Sequence, residues 1–289
     1  MSKLLAALRG ELQKRKDPDK AKMLARFFKT GKGEYGEGDV FLGITVPDSR
    51  KIAIKYKDLS LTDVKKLLQT KVHEERLIGI LILVYRFLKG KESERKNIFD
   101  FYLQCAGFQQ QKSTGKITQK KAAAKIGVKS EAKKGQCCIN NWDLVDLSAD
   151  KIVGGYLLYA SNGRKESRGS KKESSRLRSN NRAILYKLAK SNNIWERRIA
   201  IIATYQFIKE KKEYKDTFAV AEILLTDKHD LIHKAVGWML REVGKRVSQE
   251  VEEQFLKKHY HKMPRTMLRY AIEHFSPKIR LAYLSGTIE

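Results

Sequence analysis

The chain of 289 residues carries 60 lysines and arginines against 33 aspartates and glutamates, a formal net charge of +27 at pH 7, and 42% of its residues are hydrophobic. That length and apolar content are enough to bury a substantial core, as one large domain or two small ones, which argues against a disordered polypeptide. So large a positive charge attracts polyanions, and nucleic acid is the commonest of them inside cells, although a soluble lysine-rich surface without such a partner is the alternative.

The N-terminal part of the chain is predicted to be helical up to a glycine-rich loop. Residues 3–29 are predicted to form a helix that is interrupted near Asp17, Pro18 and Asp19, because a proline in a first turn can restart a helix. Residues 30–39 contain four glycines and are predicted to form a loop. This loop lacks the Gly-Lys-Ser/Thr ending and the preceding strand of a phosphate-binding motif.

Downstream of the loop, the pattern remains helical. Pro47 opens a helix through about Tyr56, and Ser60 with Asp63 resembles the N-cap pair of the next helix. Apolar residues recur at three- and four-residue spacing over 73–89, 95–104, 141–159, 182–190, 194–209, 216–225, 230–246, 248–259 and 264–275. Alternation at period two is nearly absent and the chain has four prolines, so the fold is predicted to be all-α.

A weak internal repeat lies within this helical pattern. Similar runs, in which a small residue follows an apolar one, begin at Arg198, Ala235 and Arg269, 37 and 34 residues apart, and another leads to Gly79. Periods near 40 residues that accommodate two helices are typical of HEAT-like arrays, whose second helices form a concave surface. We therefore predict a HEAT-like helical-repeat solenoid with a concave basic face. The small residues are interpreted as close-packing positions.

Two segments rich in like charge interrupt the pattern, at about 105–136 and 161–181. Both contain few large apolar residues, and we therefore interpret them as flexible basic insertions in a single domain that spans 1–289. DNA-binding arms, nuclear-import signals and solvated loops are all compatible with such insertions.

The cysteines and histidines indicate no metal chemistry. Cys105, Cys137, Cys138 and the six histidines form no pattern with metal-ligand spacing, so we predict neither a metal site nor a cofactor. An odd cysteine count suits a reducing compartment. The chain has no uninterrupted apolar run of about 18 residues and no signal peptide, so we expect an intracellular monomer without a membrane partner, in the nucleus of a eukaryote or the cytoplasm of a bacterium.

The chain has three tryptophans, and each has a charged residue about one helical turn away. Trp142 and Asp146 are four residues apart and therefore share one face of a helix. Trp142 follows two asparagines and precedes Asp143, and such polar neighbours are unusual for a buried ring. A tryptophan on a helix is usually part of the core, and this is the alternative for each of the three.

The other two tryptophans differ in how well they fit that alternative. Trp195 best fits the alternative of a core residue. Arg198 lies three residues beyond Trp195 and about one helical turn away, whereas Arg197 points away from that face. Trp238 follows Gly237, and a glycine within a helix lets another group approach closely. We predict that the three segments line one surface that binds DNA.

Four stretches of the chain resemble the AlkD-type DNA alkylation-repair glycosylases. They are FLGITVPDSR at 41–50, NWDLVD at 141–146, IWERR at 194–198 and KAVGWMLRE at 234–242. The resemblance covers essentially the whole chain apart from the two basic insertions, the first of which ends just before the second stretch. It implies HEAT-like helical repeats and removal of purines alkylated at N3 or N7 from DNA, without the base flipping that most glycosylases use.

The resemblance also implies the roles of individual residues. The catalytic aspartate of the family matches Asp146, its two sugar-contacting tryptophans match Trp142 and Trp238, and its arginine near the DNA backbone at the lesion matches Arg198. DNA-backbone contacts are further predicted for Arg50, Lys234 and Arg241, although generic surface charge also explains these three residues.

The chemistry of such a reaction suits these residue types. A purine alkylated at N7 is cationic and leaves readily, and breaking its N-glycosidic bond develops positive charge on the deoxyribose. A carboxylate such as Asp146 stabilises that charge and orients the attacking water, and indole faces attract cationic and C–H groups. Arg198 has the fork of donors that binds a phosphate. The alternative for Asp146 is a surface carboxylate paired with a lysine, and Asp143 is interpreted as structural.

We therefore predict a monofunctional DNA glycosylase that acts on N3- or N7-alkylated purines in double-stranded DNA, in base excision repair. A non-catalytic HEAT-like protein that binds damaged or structured nucleic acid is the first alternative. Such a protein keeps the basic surface but does not need Asp146. A protein-interaction scaffold, for which the charge is incidental, is the second.

Overall fold

A computed structural model of the protein describes residues 2–108, 138–162 and 182–288. In those ranges the chain has an all-α helical-repeat fold, as predicted, with a single isolated bridge between Val40 and Val72. The predicted insertions at about 105–136 and 161–181 lie largely outside the described residues. No helix of the described ranges combines the length and the apolar character needed to cross a membrane.

The helices follow the chain in a simple order. They are α1 (Lys3–Lys14), α2 (Pro18–Phe27), α3 (Val46–Lys55), α4 (Leu61–Leu68), α5 (His73–Lys89), α6 (Glu92–Cys105), α7 (Trp142–Asp146), α8 (Gly155–Asn162), α9 (182–189), α10 (Ile194–Ala203), α11 (Tyr205–Lys211), α12 (Lys215–Leu224), α13 (Asp230–Arg246), α14 (Gln249–His259), α15 (Arg265–Ala271) and α16 (Pro277–Ser285). A π-helix, Asp150–Gly154, precedes α8, and short 3-10 turns follow α14 and α15.

Side-chain caps set the starts of the first four helices. The interruption predicted after α1 occurs at Asp17, whose carboxylate accepts the amide of Lys20 at 3.1 Å, with Pro18 in the first helical position. The hydroxyl of Ser60 caps α4, as the sequence predicts, and that of Thr45 caps α3, which was not predicted. These caps confirm the predicted order of helix, loop and helix in this part of the chain.

The helix predicted over 141–159 is broken after α7, contrary to the prediction. The Ser148 hydroxyl donates to the carbonyl oxygen of Leu144 at 2.5 Å and lies 2.8 Å from the Tyr102 hydroxyl. Such a bond competes with the backbone ladder and tends to end or bend a helix. The chain then continues through the π-helix, so α7 consists of only five residues.

The helix predicted over 194–209 is also divided. Thr204 separates α10 from α11, because both its amide and its hydroxyl bond to the carbonyl oxygen of Ile201, at 3.2 and 2.7 Å. The last helix, α16, was not predicted, since it buries few residues and leaves Leu281 67% exposed, so that its apolar periodicity is weak.

Small residues allow the repeats to pack closely, as the sequence predicts. Ala200 and Ala271 are fully buried, and a Cβ placed on Gly79 would lie 3.1 Å from the Leu68 side chain. A Cβ on Gly237 would overlap the carbonyl oxygen of Met267, on the neighbouring helix α15. The close approach predicted at Gly237 is therefore an approach of another helix.

A backbone hydrogen bond joins the chain across the first undescribed segment. The amide of Cys138 donates to the carbonyl oxygen of Cys105 at 2.8 Å, so the chain leaves α6 and returns toward α7 at nearly the same point. The described start of α7 is thereby fixed next to the end of α6.

Candidate functional site

Trp142 opens α7 and is half-buried. The carboxamide oxygen of Asn141, the N-cap, accepts the amide of Trp142 at 2.8 Å. One face of the indole stacks on Phe28, with ring centroids 5.2 Å apart and planes 12° apart, while Phe27 meets it edge-on at 5.9 Å. Phe27 itself is 63% exposed. The ring is thus held by the end of α2 and stands at the surface of the core.

Asp146 lies at the other end of α7 and is bound at two points by Arg198 of α10. Arg198 Nε donates to Asp146 Oδ1 at 2.9 Å, and Nη2 donates to Oδ2 at 2.8 Å. The third donor, Nη1, bonds to the carbonyl oxygen of Leu231 in α13. The arginine side chain is 5% exposed and that of Asp146 is 16% exposed. The carboxylate is therefore rigidly oriented and still accessible from one side.

This pairing decides between two interpretations of Asp146. The sequence left open the possibility that Asp146 is a surface carboxylate paired with a lysine. Its partner in the structure is instead a buried arginine 52 residues away in the sequence. Burial raises the pKa of Asp146 above its ordinary value, Arg198 acts against that rise, and the carboxylates of Asp143 and Asp150 add to it. The site therefore holds an aspartate that takes up a proton at a higher pH than an exposed aspartate does.

Arg198 is the residue through which α7 and α13 are connected. Three of its five N–H groups donate to protein acceptors on these two helices. Its predicted contact with a DNA phosphate would use one of the two remaining N–H groups or displace one of these bonds.

Trp238 lies on α13 and is half-buried like Trp142. Its indole N–H donates to Glu242 at 3.3 Å, and the Tyr205 ring lies 6.4 Å from it. Leu231, which accepts from Arg198, is in the first turn of the same helix. The structure thus places Trp238 on α13, the helix that Arg198 connects to Asp146.

The three other predicted DNA-contacting residues differ in their surroundings. Lys234 pairs with Asp230 at 2.7 Å, and Arg241 pairs with Glu273. Arg50 is exposed on α3, away from these pairs in the chain. Ion pairs at the surface are weak, so Lys234 and Arg241 can each exchange the carboxylate partner for another anion.

Two sequence interpretations are confirmed by the packing. Trp195 is 8% exposed and belongs to the core, and Arg197 turns aside to bind Asp227 at 2.6 Å. Asp143 is structural: its Oδ1 accepts the amide of Leu144, and its Oδ2 lies 2.8 Å from His73 Nε2 on α5.

Two residues near the site were not predicted. Tyr35, from the glycine-rich loop, packs against the core; burial raises the pKa of its hydroxyl, while Trp142 and the Lys234 ammonium act against that rise. It therefore stands near both α7 and α13. His73 is buried beneath Trp142, behind the Phe28 ring. A lone tyrosine in a glycine-rich loop and a histidine at a helix start are the only sequence signals for them.

No group of three or more His, Cys, Asp or Glu side chains in the described ranges is placed to hold a metal ion.

The chain resembles known proteins both in its sequence pattern and in its fold. The chain matches the family model described as DNA alkylation repair enzyme over residues 8–114 and 119–275. It is also similar to the solved structure of a predicted DNA alkylation repair enzyme from Enterococcus faecalis, with a TM-score of 0.58 and 17% identity over 91% of this chain and 97% of that one. At this identity the structural likeness shows the fold alone. No curated protein sequence matches the chain.

Proposed function

We propose that this chain, which belongs to the DNA alkylation repair enzyme family, hydrolyses the N-glycosidic bond of purines alkylated at N3 or N7 in double-stranded DNA. The observation that carries the proposal is the Asp146 carboxylate. It is 16% exposed, is fixed at two points by Arg198, and lies on the same five-residue helix as the half-buried Trp142.

The chemistry follows from that geometry. Each carboxylate oxygen has two lone pairs, and Arg198 occupies one on each oxygen, so the exposed edge of Asp146 can still accept a water or face a sugar. An alkylated purine cation leaves without protonation, and the deoxyribose then carries positive charge. A carboxylate that is already oriented stabilises this charge without reorganising. One carboxylate therefore suffices, and no second acid is required.

Trp142 and Trp238 are proposed to contact the deoxyribose. Each indole is half-buried, so one part of the ring is fixed by protein while the remainder faces solvent. The electron-rich face of an indole attracts a sugar that is becoming cationic. Arg50, Lys234 and Arg241 are proposed to bind the DNA backbone, with Arg198 joining them through a remaining N–H group or after DNA displaces one of its bonds.

The base is proposed to remain in the duplex, and the protein to act as a monomer. Enzymes extrude a base mainly to reach an atom that the duplex hides, and a cationic leaving group also needs no pocket that protonates it. The carboxylate then needs to reach only the sugar.

The experiment is the release of 7-methylguanine from methylated duplex DNA by wild type and by Asp146→Asn. Asn keeps the shape but not the charge, so the rate is expected to fall by a factor of about 100 or more. Asp100→Asn is the control, since this carboxylate also pairs with a cation, Lys96, but does so on the exposed surface of α6. Release of 7-methylguanine by Asp146→Asn at the wild-type rate would contradict the assigned mechanism.

A non-catalytic protein that binds damaged or structured nucleic acid is the second candidate. One observation favours it: Asp146 and Arg198 satisfy each other, as in a purely structural ion pair. This candidate predicts salt-dependent DNA binding without base release in the wild type, and binding by Asp146→Asn that matches wild type.

A further inference from the structure

His73, in the first turn of α5, is the centre of a buried polar cluster. The residue is 2% exposed. Its Nε2 lies 2.8 Å from Asp143 Oδ2, and its Nδ1 lies 3.2 Å from Arg76 Nη2 and 3.5 Å from Asp39 Oδ2. The His73 amide also donates to the carbonyl oxygen of Val40, which fixes the neighbouring Asp39 beside the ring. The ring therefore stands between the Asp143 carboxylate of α7 and an ion pair formed by Asp39 of the glycine-rich loop and Arg76 of α5.

Both carboxylates connect the ring to the start of α7. Asp39 accepts from the carboxamide of Asn141, the N-cap, at 3.1 Å. Asp143 follows Trp142 directly, and its second oxygen accepts the amide of Leu144 at 2.8 Å. A helix of five residues has no appreciable stability of its own, so its position depends on such anchors.

The faces of the His73 ring pack against phenylalanines that continue to Trp142. Phe41 stacks on the ring with centroids 4.6 Å apart, and Phe28 lies 4.8 Å away. Phe28 is also the ring on which the Trp142 indole stacks. A cationic imidazole strengthens contacts with aromatic faces, so the ring supports the indole as well as the backbone of α7.

The charges of the cluster balance when His73 is protonated. Asp39 and Asp143 contribute two negative charges, and Arg76, which is 3% exposed and donates to Asp39, contributes one positive charge. An uncompensated buried charge is costly, and an imidazolium removes it. Burial favours the neutral ring and Arg76 opposes the charge, but Asp143 and Asp39 outweigh both and raise the pKa of His73 to about 9.

We propose that His73 is a positioning residue for glycosidic-bond hydrolysis: its imidazolium anchors the N-terminus of α7 and so orients the Trp142 ring and the Asp146 carboxylate. The proposal rests on the proposed function, because it assigns this geometry to that reaction. His73 is buried and acts on α7 through its contacts with Asp143, Asp39 and the Phe28 ring. Without its proton, the two carboxylates face a single guanidinium and the anchor of α7 weakens.

Two variants separate the charge from the ring. His73→Gln keeps a side-chain N–H that can reach Asp143 but has no charge, and His73→Phe keeps the aromatic contacts but has no donor. His274→Gln, at an exposed histidine far along the chain, is the control. With enzyme in excess, the first-order rate of 7-methylguanine release is expected to fall about 10-fold in His73→Gln and about 100-fold in His73→Phe, because small displacements of reacting groups have effects of this size. The Kd for unmethylated duplex is expected to stay the same.

A measurement on the wild-type chain needs no substitution. Nitrogen-15 NMR of labelled histidine is expected to show both ring nitrogens of His73 protonated at neutral pH, with titration near pH 9. The indole N–H resonance of Trp142, assigned with Trp142→Phe, is expected to shift over the same pH range.

The outcomes distinguish this proposal from the proposed function. A neutral His73 ring at neutral pH, or a folded His73→Gln that releases base at the wild-type rate, overturns the positioning role. A wild-type chain that releases no base contradicts the proposed function instead. In that case the Trp142 resonance still tests whether His73 anchors α7. A resonance that shifts with the His73 titration supports the anchor, and a resonance that does not shift overturns it.

Discussion

The two candidate tryptophans lie on helices that are stabilised in different ways. Trp142 opens α7, whose five residues are held by the His73 cluster on one side and by Arg198 on the other. Trp238 lies within α13, whose 17 residues pack on α10, α12, α14 and α15. The short helix combines two fully buried apolar side chains, Leu144 and Val145, with directional polar contacts, whereas the long helix depends mainly on many apolar contacts.

This difference has a consequence for each half of the site. A polar contact is directional, so a change at His73 or Asp143 moves α7 relative to its neighbours. An apolar interface is spread over many residues, so one exposed change on α13 leaves its position intact. We therefore expect the aspartate side of the site to be sensitive to buried charge and the Trp238 side to be sensitive to steric packing.

The largest effect on stability is expected when the anchor of α7 is removed. Asp143→Ala leaves the buried imidazolium of His73 without its nearest carboxylate, and breaking a buried ion pair in this way costs about 3–5 kcal/mol of unfolding free energy. Chemical denaturation measures it. The matched control is Asp230→Ala in the first turn of α13, whose carboxylate is 54% exposed, so that about 1 kcal/mol or less is expected. Equal losses in both variants would contradict the comparison.

The pH dependence of stability follows from the same cluster. The pKa of His73 is raised from 6.5 to about 9, so the contribution of its charge is fully present below pH 6.5 and is lost as the pH rises through 9. A rise of that extent corresponds to roughly 3 kcal/mol. Denaturation of the wild type between these pH values is expected to show the loss, and His73→Gln is expected to lack this component. A wild-type stability that stays level across the range contradicts it.

A smaller effect is expected from a steric change in α13. Gly237→Ala places a methyl group on the Met267 carbonyl oxygen, and such overpacking costs about 1–3 kcal/mol because α15 must shift. Gly10→Ala in α1, where a Cβ meets nothing within 4 Å, is the control and is expected to gain about 0.5–1 kcal/mol. Thermal unfolding of the two variants gives the comparison, and a stabilised Gly237→Ala would show that the helices are less closely packed.

The smallest effect on stability is expected at the surface of α13. Lys234→Gln removes an ion pair with Asp230 and should change stability by about 0.5 kcal/mol or less. If Lys234 binds a phosphate, the slope of log Kd for duplex DNA against log salt should fall by about one. Lys96→Gln is the matched control, since Lys96 pairs with Asp100 in the same four-residue spacing on α6. An identical salt slope in both variants removes Lys234 from the proposed DNA contacts.

The sequence predicts some elements well because their information is local. The bounds of α5 and α13 are those that periodicity predicts, since 17 residues display several turns of an apolar stripe. The breaks at Ser148 and Thr204 were not predicted. Each depends on a hydroxyl bonding to a nearby carbonyl oxygen, and serine and threonine within a helix do so only in some contexts.

The candidate site shows the same division between local and distant information. The shared face of Trp142 and Asp146 follows from four-residue spacing. Their partners do not: Arg198 is 52 residues from Asp146, and His73 is 70 residues from Asp143. Only the family resemblance identified the arginine, and the sole sequence signal for His73 was its place at a helix start. Tertiary packing selects these partners. A local sequence pattern does not show which distant residues will form a pair.

The hydrogen bond between the Cys105 carbonyl and the Cys138 amide has a consequence for how this chain can vary. It ties the backbone four residues before Trp142 to the end of α6 through main-chain atoms alone, so any residue at position 105, and any residue except proline at position 138, can form it.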